Sequence, residues 1–234
     1  MNGIDCFLEG FSLVRKPGLR QYVIMPAIIN AVVLILMISG SYMQFDGWVA
    51  AATDWLPEWL SFLSGLVWLL AVFAVIFALF FIFTIVANIV ASPFNALLSV
   101  KVEEHLLGTA IASSVSLWMI LPRALWREFS KVMYLLPRLL GLVILSIIPV
   151  LNAIAPFLWL LFGAWMMAVQ YSDYGADNNE LSFSELRERL GKCRLQSILF
   201  GLPAYLLMAI PLVNLVILPV AVAGGTVFWV KNLR

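Results

Sequence analysis

Long uncharged runs, separated by short charged stretches, set the pattern of this chain. The uncharged runs are 21–45, 59–100, 106–122, 139–172 and 195–230. A helix needs about 20 apolar residues to cross a bilayer. Residues 19–45 predict one crossing, and 59–92 predict a second, long or tilted one. No Gly or Pro interrupts the chain between Gly65 and Pro93, so the second stretch reads as one helix. At the N-terminus Ile4, Phe7, Phe11 and Val14 recur at helical spacing. That predicts an amphipathic helix over 1–16 lying in the membrane interface. Pro17 stops it, Gly18 lets the chain turn, and a second helix begins near Leu19.

The last two apolar runs share an echo. "IPVLN" at 148–152 returns as "IPLVN" at 210–214, each followed by another proline, Pro156 and Pro219. Pro and Asn are poor in helix interiors and good in turns. Residues 139–172 and 195–230 therefore predict two helical hairpins, with Pro149, Asn152, Pro211 and Asn214 at their tips. Residues 139–148 make a helix of roughly 15 Å and 220–230 one of about 16 Å, against a hydrocarbon core about 30 Å thick. At least one arm of each hairpin falls short, so both read as re-entrant. Irregular backbone at that depth is buried in protein or lines a wet cavity, which implies a larger assembly, a pore, or both. The expected fold is an all-α integral membrane protein forming a single membrane domain over 1–234. It has two long transmembrane helices, two partly penetrating hairpins and short amphipathic interfacial helices. Residues 101–138 are expected as basic interfacial helices. The polar stretch 171–194 reads as a loop that carries "SFSELRERL", a short helix with Ser182 or Ser184 as N-cap.

Composition agrees with a bilayer as solvent. Apolar residues make up 63% and charged residues 12%, against roughly 45–50% and about 25% in soluble domains. A net charge of +1 gives no sign of a nucleic-acid partner. None of the 14 Lys and Arg falls in 46–58, which holds Asp46, Asp54, Glu58 and the belt residues Trp48 and Trp55, with Trp59 just beyond. The positive-inside rule puts that loop outside and its flanks in the cytoplasm. The N-terminus lacks the order of a cleaved signal. Cys6 and Cys193 match no metal or redox spacing and read as free thiols on a reducing side.

Catalytic chemistry finds no foothold. No phosphate-binding G-x-x-x-x-G-K-[ST], H-E-x-x-H or G-x-S-x-G occurs, and no cofactor or metal is implied. The single His, His105 in "KVEEHLLG", suits a juxtamembrane helix cap better than proton coupling. What remains is cationic. Arg123, Arg127 and Lys131 share one helix face, either meeting lipid headgroups or lining an anion path. In "KPGLRQ", residues 16–21, a turn opens a helix whose first amides lack internal partners. Lys16 and Arg20 add full charges there, and Arg can bond an oxyanion through two parallel donors. The same residues also suit a snorkelling anchor.

Four longer stretches carry a resemblance: "FLEGFSLVRKPGLRQYVIMPAIIN", "NIVASPFNALLSVKVEEHLLG", "AWMMAVQYSDYGADNNELSF" and "IPLVNLVILPVAVAGGTVFWV". In order and spacing they resemble the CysZ family of bacterial sulfate permeases over nearly the whole chain. The resemblance implies sulfate uptake across the inner membrane, without ATP hydrolysis, supplying assimilation into cysteine. It implies a homo-oligomer, with protomers inverted relative to one another in some members. The one-sided Lys and Arg bias favours a single orientation instead. It also implies a sulfate site at the Gly-Leu-Arg motif, which falls on Gly18, Leu19 and Arg20. Some members resemble "GLRR" or "GIRR" at this point. Gln21 stands here where they carry a second Arg, and Arg15 and Lys16 are the neighbours placed to compensate. Two rival readings stand beside this one, a membrane structural or assembly protein and a less selective anion channel.

Overall fold

Helix follows helix from Gly3 to the C-terminus. The computed structural model describes residues 1–54, 62–110, 117–210 and 213–234, without the side chains of 52 and 117–124. Its α-helices are α1 (Gly3–Leu13), α2 (Gln21–Thr53), α3 (Ser64–Leu107), α4 (Leu117–Ile147), α5 (Ala155–Asn178), α6 (Phe183–Lys192), α7 (Arg194–Met208) and α8 (Val213–Phe228). A 3₁₀ turn, Leu151–Ile154, precedes α5, and a π turn, Trp229–Leu233, follows α8. Among the described residues there is no β-strand. Five stretches are long and apolar enough to cross a membrane: Gln21–Ala51, Ser64–Leu107, Leu125–Ile147, Leu151–Asn178 and Val213–Leu233.

Contacts divide the chain into two units, Met1–Val23 with Asn95–Arg234, and Ile24–Phe94. The second unit is a pair of apolar helices. Asn30 donates to the Ala87 carbonyl at 3.5 Å, and Phe45 meets Trp68 edge to face at 6.1 Å. Those pairings run in opposite senses along the chain, so the helices are antiparallel. Most of their large side chains point outward, Ile35, Leu36, Phe73, Phe77 and Phe80 among them. Such a surface suits hydrocarbon, and the backbone satisfies its own hydrogen bonds within each helix.

The first unit has a packed core. Helix α1 lies on α7 and α8, and α5 lies on the same two helices. Phe7, Phe200 and Phe228 are fully buried; Phe200 stacks on Phe228 at 5.2 Å and meets Phe7 at 6.2 Å. Close approach depends on small residues. A Cβ added at Gly10 would strike the Val220 carbonyl, and one at Gly201 the Ala164 carbonyl. Helix α1 buries Gly3, Cys6, Phe7, Gly10 and Leu13, while Phe11 and Val14 sit half-buried at the edge. The repeat thus runs from the centre of the buried face at Phe7 to its shoulder at Phe11 and Val14, beside the small residues that let α8 approach.

Several boundaries differ from the sequence-based expectation. Helix α2 runs through Asp46 to Thr53, because "VAAAT" continues a helix readily. Helix α3 passes Pro93 and reaches Leu107; apolar helices tolerate such a proline. The basic stretch and the first hairpin arm are one 31-residue helix, α4, passing Pro137. Helix α5 takes in the polar residues 171–178, which contacts with α3 and α4 hold helical. As expected, α6 starts behind Ser182, whose hydroxyl accepts from the Glu185 amide while Glu185 reaches back to the Ser182 amide.

Candidate functional site

The turn between α1 and α2 is built by one carbonyl. Lys16 accepts from the amides of both Leu19 and Arg20 at 3.1 Å. Gly18 sits at φ +89°, a conformation that costs a side-chain-bearing residue about 1–3 kcal/mol. Nothing lies within 4 Å of where a Cβ at Gly18 would stand, so its glycine is demanded by backbone angle rather than crowding. Leu19 is buried in the core and pins the turn, while Gly18, Arg20 and Gln21 on either side of it are exposed. The amides of Tyr22 and Val23 go to the carbonyls of Leu19 and Arg20. Of the helix-opening donors, the amides of Gly18 and Gln21 are therefore the ones left without a backbone carbonyl among the described residues.

The cations around the turn are disposed differently. Arg15 donates through Nε to the Phe11 carbonyl at 3.0 Å. Lys16 Nζ lies 3.0 Å from His105 Nε2 at the end of α3. Arg20 is exposed, and its guanidinium has no hydrogen-bond or ion-pair partner among the described residues. It therefore offers its whole planar fork to an anion.

The second cation group is buried and paired. Arg127 and Lys131, 7% and 6% exposed, face Asp173 from α4. Arg127 bonds both carboxylate oxygens of Asp173 and the Leu181 carbonyl, with Asp177 at 3.4 Å. Lys131 lies 3.1 Å from Asp173, 2.5 Å from Glu128 and 3.3 Å from the Gln170 side-chain oxygen. The side chain of Arg123 lies outside the described residues. The structure thus brings Arg127 and Lys131 together on one carboxylate, and it places Lys16 and Arg20 at a separate turn.

A third polar seam escaped sequence reasoning. Glu103 is fully buried on α3 and accepts from Asn178 at 3.1 Å and Asn179 at 2.6 Å. Asn178 also donates to Ser99, whose hydroxyl meets Thr226 at 2.9 Å. The signal was in the spacing: Ser99 and Glu103 are four apart, as are Asp173 and Asp177, which answer Arg127 and Lys131. Of the hairpin-tip residues, Pro149 lies in an exposed turn. Asn152 lies in the 3₁₀ turn with its amide on Ile148, and Asn214 lies exposed at the start of α8 with its amide on Ile210. Pro211 lies outside the described residues.

The family model described as "Sulfate transporter CysZ/Etoposide-induced protein 2.4" matches residues 6–219. Among curated proteins, the "Sulfate transporter CysZ" of Pseudomonas fluorescens (strain Pf0-1) is 47% identical over 99% of this chain and 94% of its own length. That of Pseudomonas aeruginosa (strain LESB58) is 47% identical over 99% of this chain and 96% of its own. The protein of the same name from Pectobacterium atrosepticum is 37% identical over 100% of this chain and 86% of its own. With the match running from α1 into α8, this chain belongs to the CysZ family of sulfate transporters.

Proposed function

We propose that this protein carries sulfate across the bacterial inner membrane and first binds it at the Lys16–Gln21 turn. The observation that carries the transport reading is identity of 47% to proteins named sulfate transporter, over 99% of the chain. What supports the turn is the contrast among its cations: Arg20 is exposed with no partner, and the amides of Gly18 and Gln21 lie on either side of it. Gln21 adds a neutral donor where a second Arg would add charge. Lys16 faces the ring of His105 rather than a carboxylate, so its charge is not spent on an anionic partner among the described residues.

Arg127 and Lys131 would serve a later stage of the path. Their charges are met by Asp173, with Asp177 beside Arg127 and Glu128 beside Lys131, so an anion passing there has to compete with those carboxylates. Moving one charge through 100 mV is worth about 2.3 kcal/mol, so a dianion entering against an inside-negative potential costs roughly 4.6 kcal/mol. Its entry is drawn by a gradient, a coupled cation or removal of sulfate into cysteine synthesis.

The membrane arrangement we favour is two long crossings, α2 and α3, with two hairpins that stop part-way. Beyond Arg138 the uncharged part of α4 is residues 139–147, about 13 Å at 1.5 Å per residue. Irregular backbone at 148–154 then falls inside the hydrocarbon, where it needs protein or water beside it. A second copy of the chain is the natural cover, so the working unit is a homo-oligomer.

The test is flux of labelled sulfate into liposomes holding the purified protein, with chloride and phosphate as competitors. Saturable flux that phosphate and chloride leave intact is expected. Flux at the level of empty liposomes would return the chain to a structural or assembly role, and equal loss to chloride would make it a general anion channel.

A further inference from the structure

We propose that the groove between α4 and α6 binds the phosphate of an anionic phospholipid, gripped by Arg138 and Arg187 across the ring of Tyr134. This site is separate from the turn and does not depend on which anion the protein carries. Arg138 is the last charge before the uncharged run 139–172, which puts it at headgroup level. Its guanidinium carbon stands 3.7 Å from the Tyr134 ring centre, and that of Arg187 stands 4.9 Å from the same centre. One phenol ring thus lies near both cations. No carboxylate among the described residues pairs with either. Arg138 spends one donor on the Tyr134 carbonyl at 2.7 Å, and the rest of its fork is open. Arg187 Nε is buried and has no hydrogen-bond acceptor among the described residues. Two guanidiniums lining one groove, with no carboxylate partner among the described residues, are the chemistry that recognises a phosphate group. Glu180 and Glu185 also line this groove, and the Glu185 carboxylate is taken by the amide and hydroxyl of Ser182 at 2.8 and 2.6 Å.

The other wall decides between a lipid and a free anion. Trp126, Phe129 and Met133 of α4 line the groove and are 68%, 52% and 47% exposed. Leu136, Leu140 and Ile144 continue that exposed apolar stripe into the uncharged end of α4. A hydrated inorganic ion gains nothing from such a wall. A phospholipid gains from both, its phosphate on the arginines and an acyl chain along the stripe.

The test uses full-length protein purified in detergent, with retained lipid counted by native mass spectrometry. Both lipids carry the phosphodiester, but phosphatidylcholine neutralises it with its own ammonium, so phosphatidylglycerol is expected to bind about tenfold more tightly. Replacing both Arg138→Gln and Arg187→Gln should bring phosphatidylglycerol down to the phosphatidylcholine level. Lys192→Gln, on the same helix but paired with Glu188, should change nothing, and sulfate binding at the turn should persist in all variants. Equal retention of the two lipids by the unaltered protein overturns the proposal, whatever the variants do. Displacement of phosphatidylglycerol by millimolar inorganic phosphate or sulfate also overturns it, since the groove would then be a site for soluble oxyanions.

Discussion

Two groups of cations sit in the same helical unit and have opposite fates. At the Lys16–Gln21 turn, Arg20 is exposed and unpaired, held out by a buried Leu19 and a glycine at φ +89°. On α4, Arg127 and Lys131 are buried against Asp173. Both groups attract anions on paper. Only the first can take one without giving up a partner, because a buried ion pair has already exchanged its hydration for a carboxylate. A cation's place in the chain says little about its availability; what faces it decides. On our proposal the exposed turn captures the anion, while the buried cluster, which also holds α4 against α5, meets it only in competition with Asp173.

Removing Asp173 should produce the largest effect. Asp173→Ala takes the shared carboxylate from two buried cations and leaves them only Asp177 and Glu128, so the cost falls at the lower end of the range for a broken buried pair, about 3 kcal/mol. We expect a lower unfolding temperature in detergent and poor recovery of protein from membranes. Asp173→Ala protein of unaltered thermal stability would mean that the cluster is hydrated and open, and would move the capture site toward it.

Side-chain changes at Arg20 and Gln21 should do the reverse, leaving stability nearly intact and altering sulfate binding. Arg20→Ala removes a charged hydrogen-bond donor worth about 1.5–3 kcal/mol, roughly 10- to 150-fold in affinity. Arg20→Lys should recover only part of that, because an ammonium lacks the planar fork. Gln21→Arg should tighten binding. Equilibrium binding of sulfate at fixed salt checks all three, and full affinity in both Arg20 variants would remove the turn from the mechanism. Gly18→Ala sharpens the cause. No ligand-free neighbour would be struck, so its expected cost of about 1–3 kcal/mol comes from backbone angle. A substitution to Asn, which tolerates positive φ better than Ala, should be milder than Ala if angle is the cause. Should Ala and Asn weaken binding equally, close backbone approach of the anion would be the better explanation.

Much of this was legible in the sequence, and the failures are informative. Uncharged runs located the apolar helices because hydrocarbon leaves them no choice of partner. Ser182 was legible as a cap because a capping box is local. The Gly-Leu-Arg turn was legible from Pro17 and Gly18, again within a few residues. Illegible were the polar residues of 171–178, read as loop from composition yet held in α5 by Arg127 and by Glu103. Their partners lie 46 and 75 residues away, so propensity alone had to lose to tertiary contact. Helix α1 failed in a similar way. Its aromatic repeat was visible, but the small residues Gly3, Cys6 and Gly10 make sense only once α7 and α8 are beside them.

The start of α6 offers the finest test of the buried cluster, because Arg127 also donates to the carbonyl of Leu181, the residue before the cap. If that carbonyl helps hold Arg127, loosening the cap should weaken the cluster slightly. Ser182→Ala typically costs a helix about 1 kcal/mol, well below the loss expected from Asp173→Ala. Acid should imitate it. The Ser182 hydroxyl and amide donate to the Glu185 carboxylate and hold its pKa below the usual carboxylate value. A lowered folded pKa means that the stabilisation is complete above the unfolded value, about 4.3, and is lost as pH falls through the folded one. Between pH 5 and 8 this pair should therefore contribute no pH dependence at all. Thermal melts of the unaltered protein and of Ser182→Ala, taken at pH 7 and again near pH 3.5, separate the possibilities. Their difference should be constant down to about pH 5 and shrink below it. A gap that stays constant to pH 3.5 would show that Ser182 acts on the Glu185 amide alone, leaving its carboxylate without a part in holding Leu181 under Arg127.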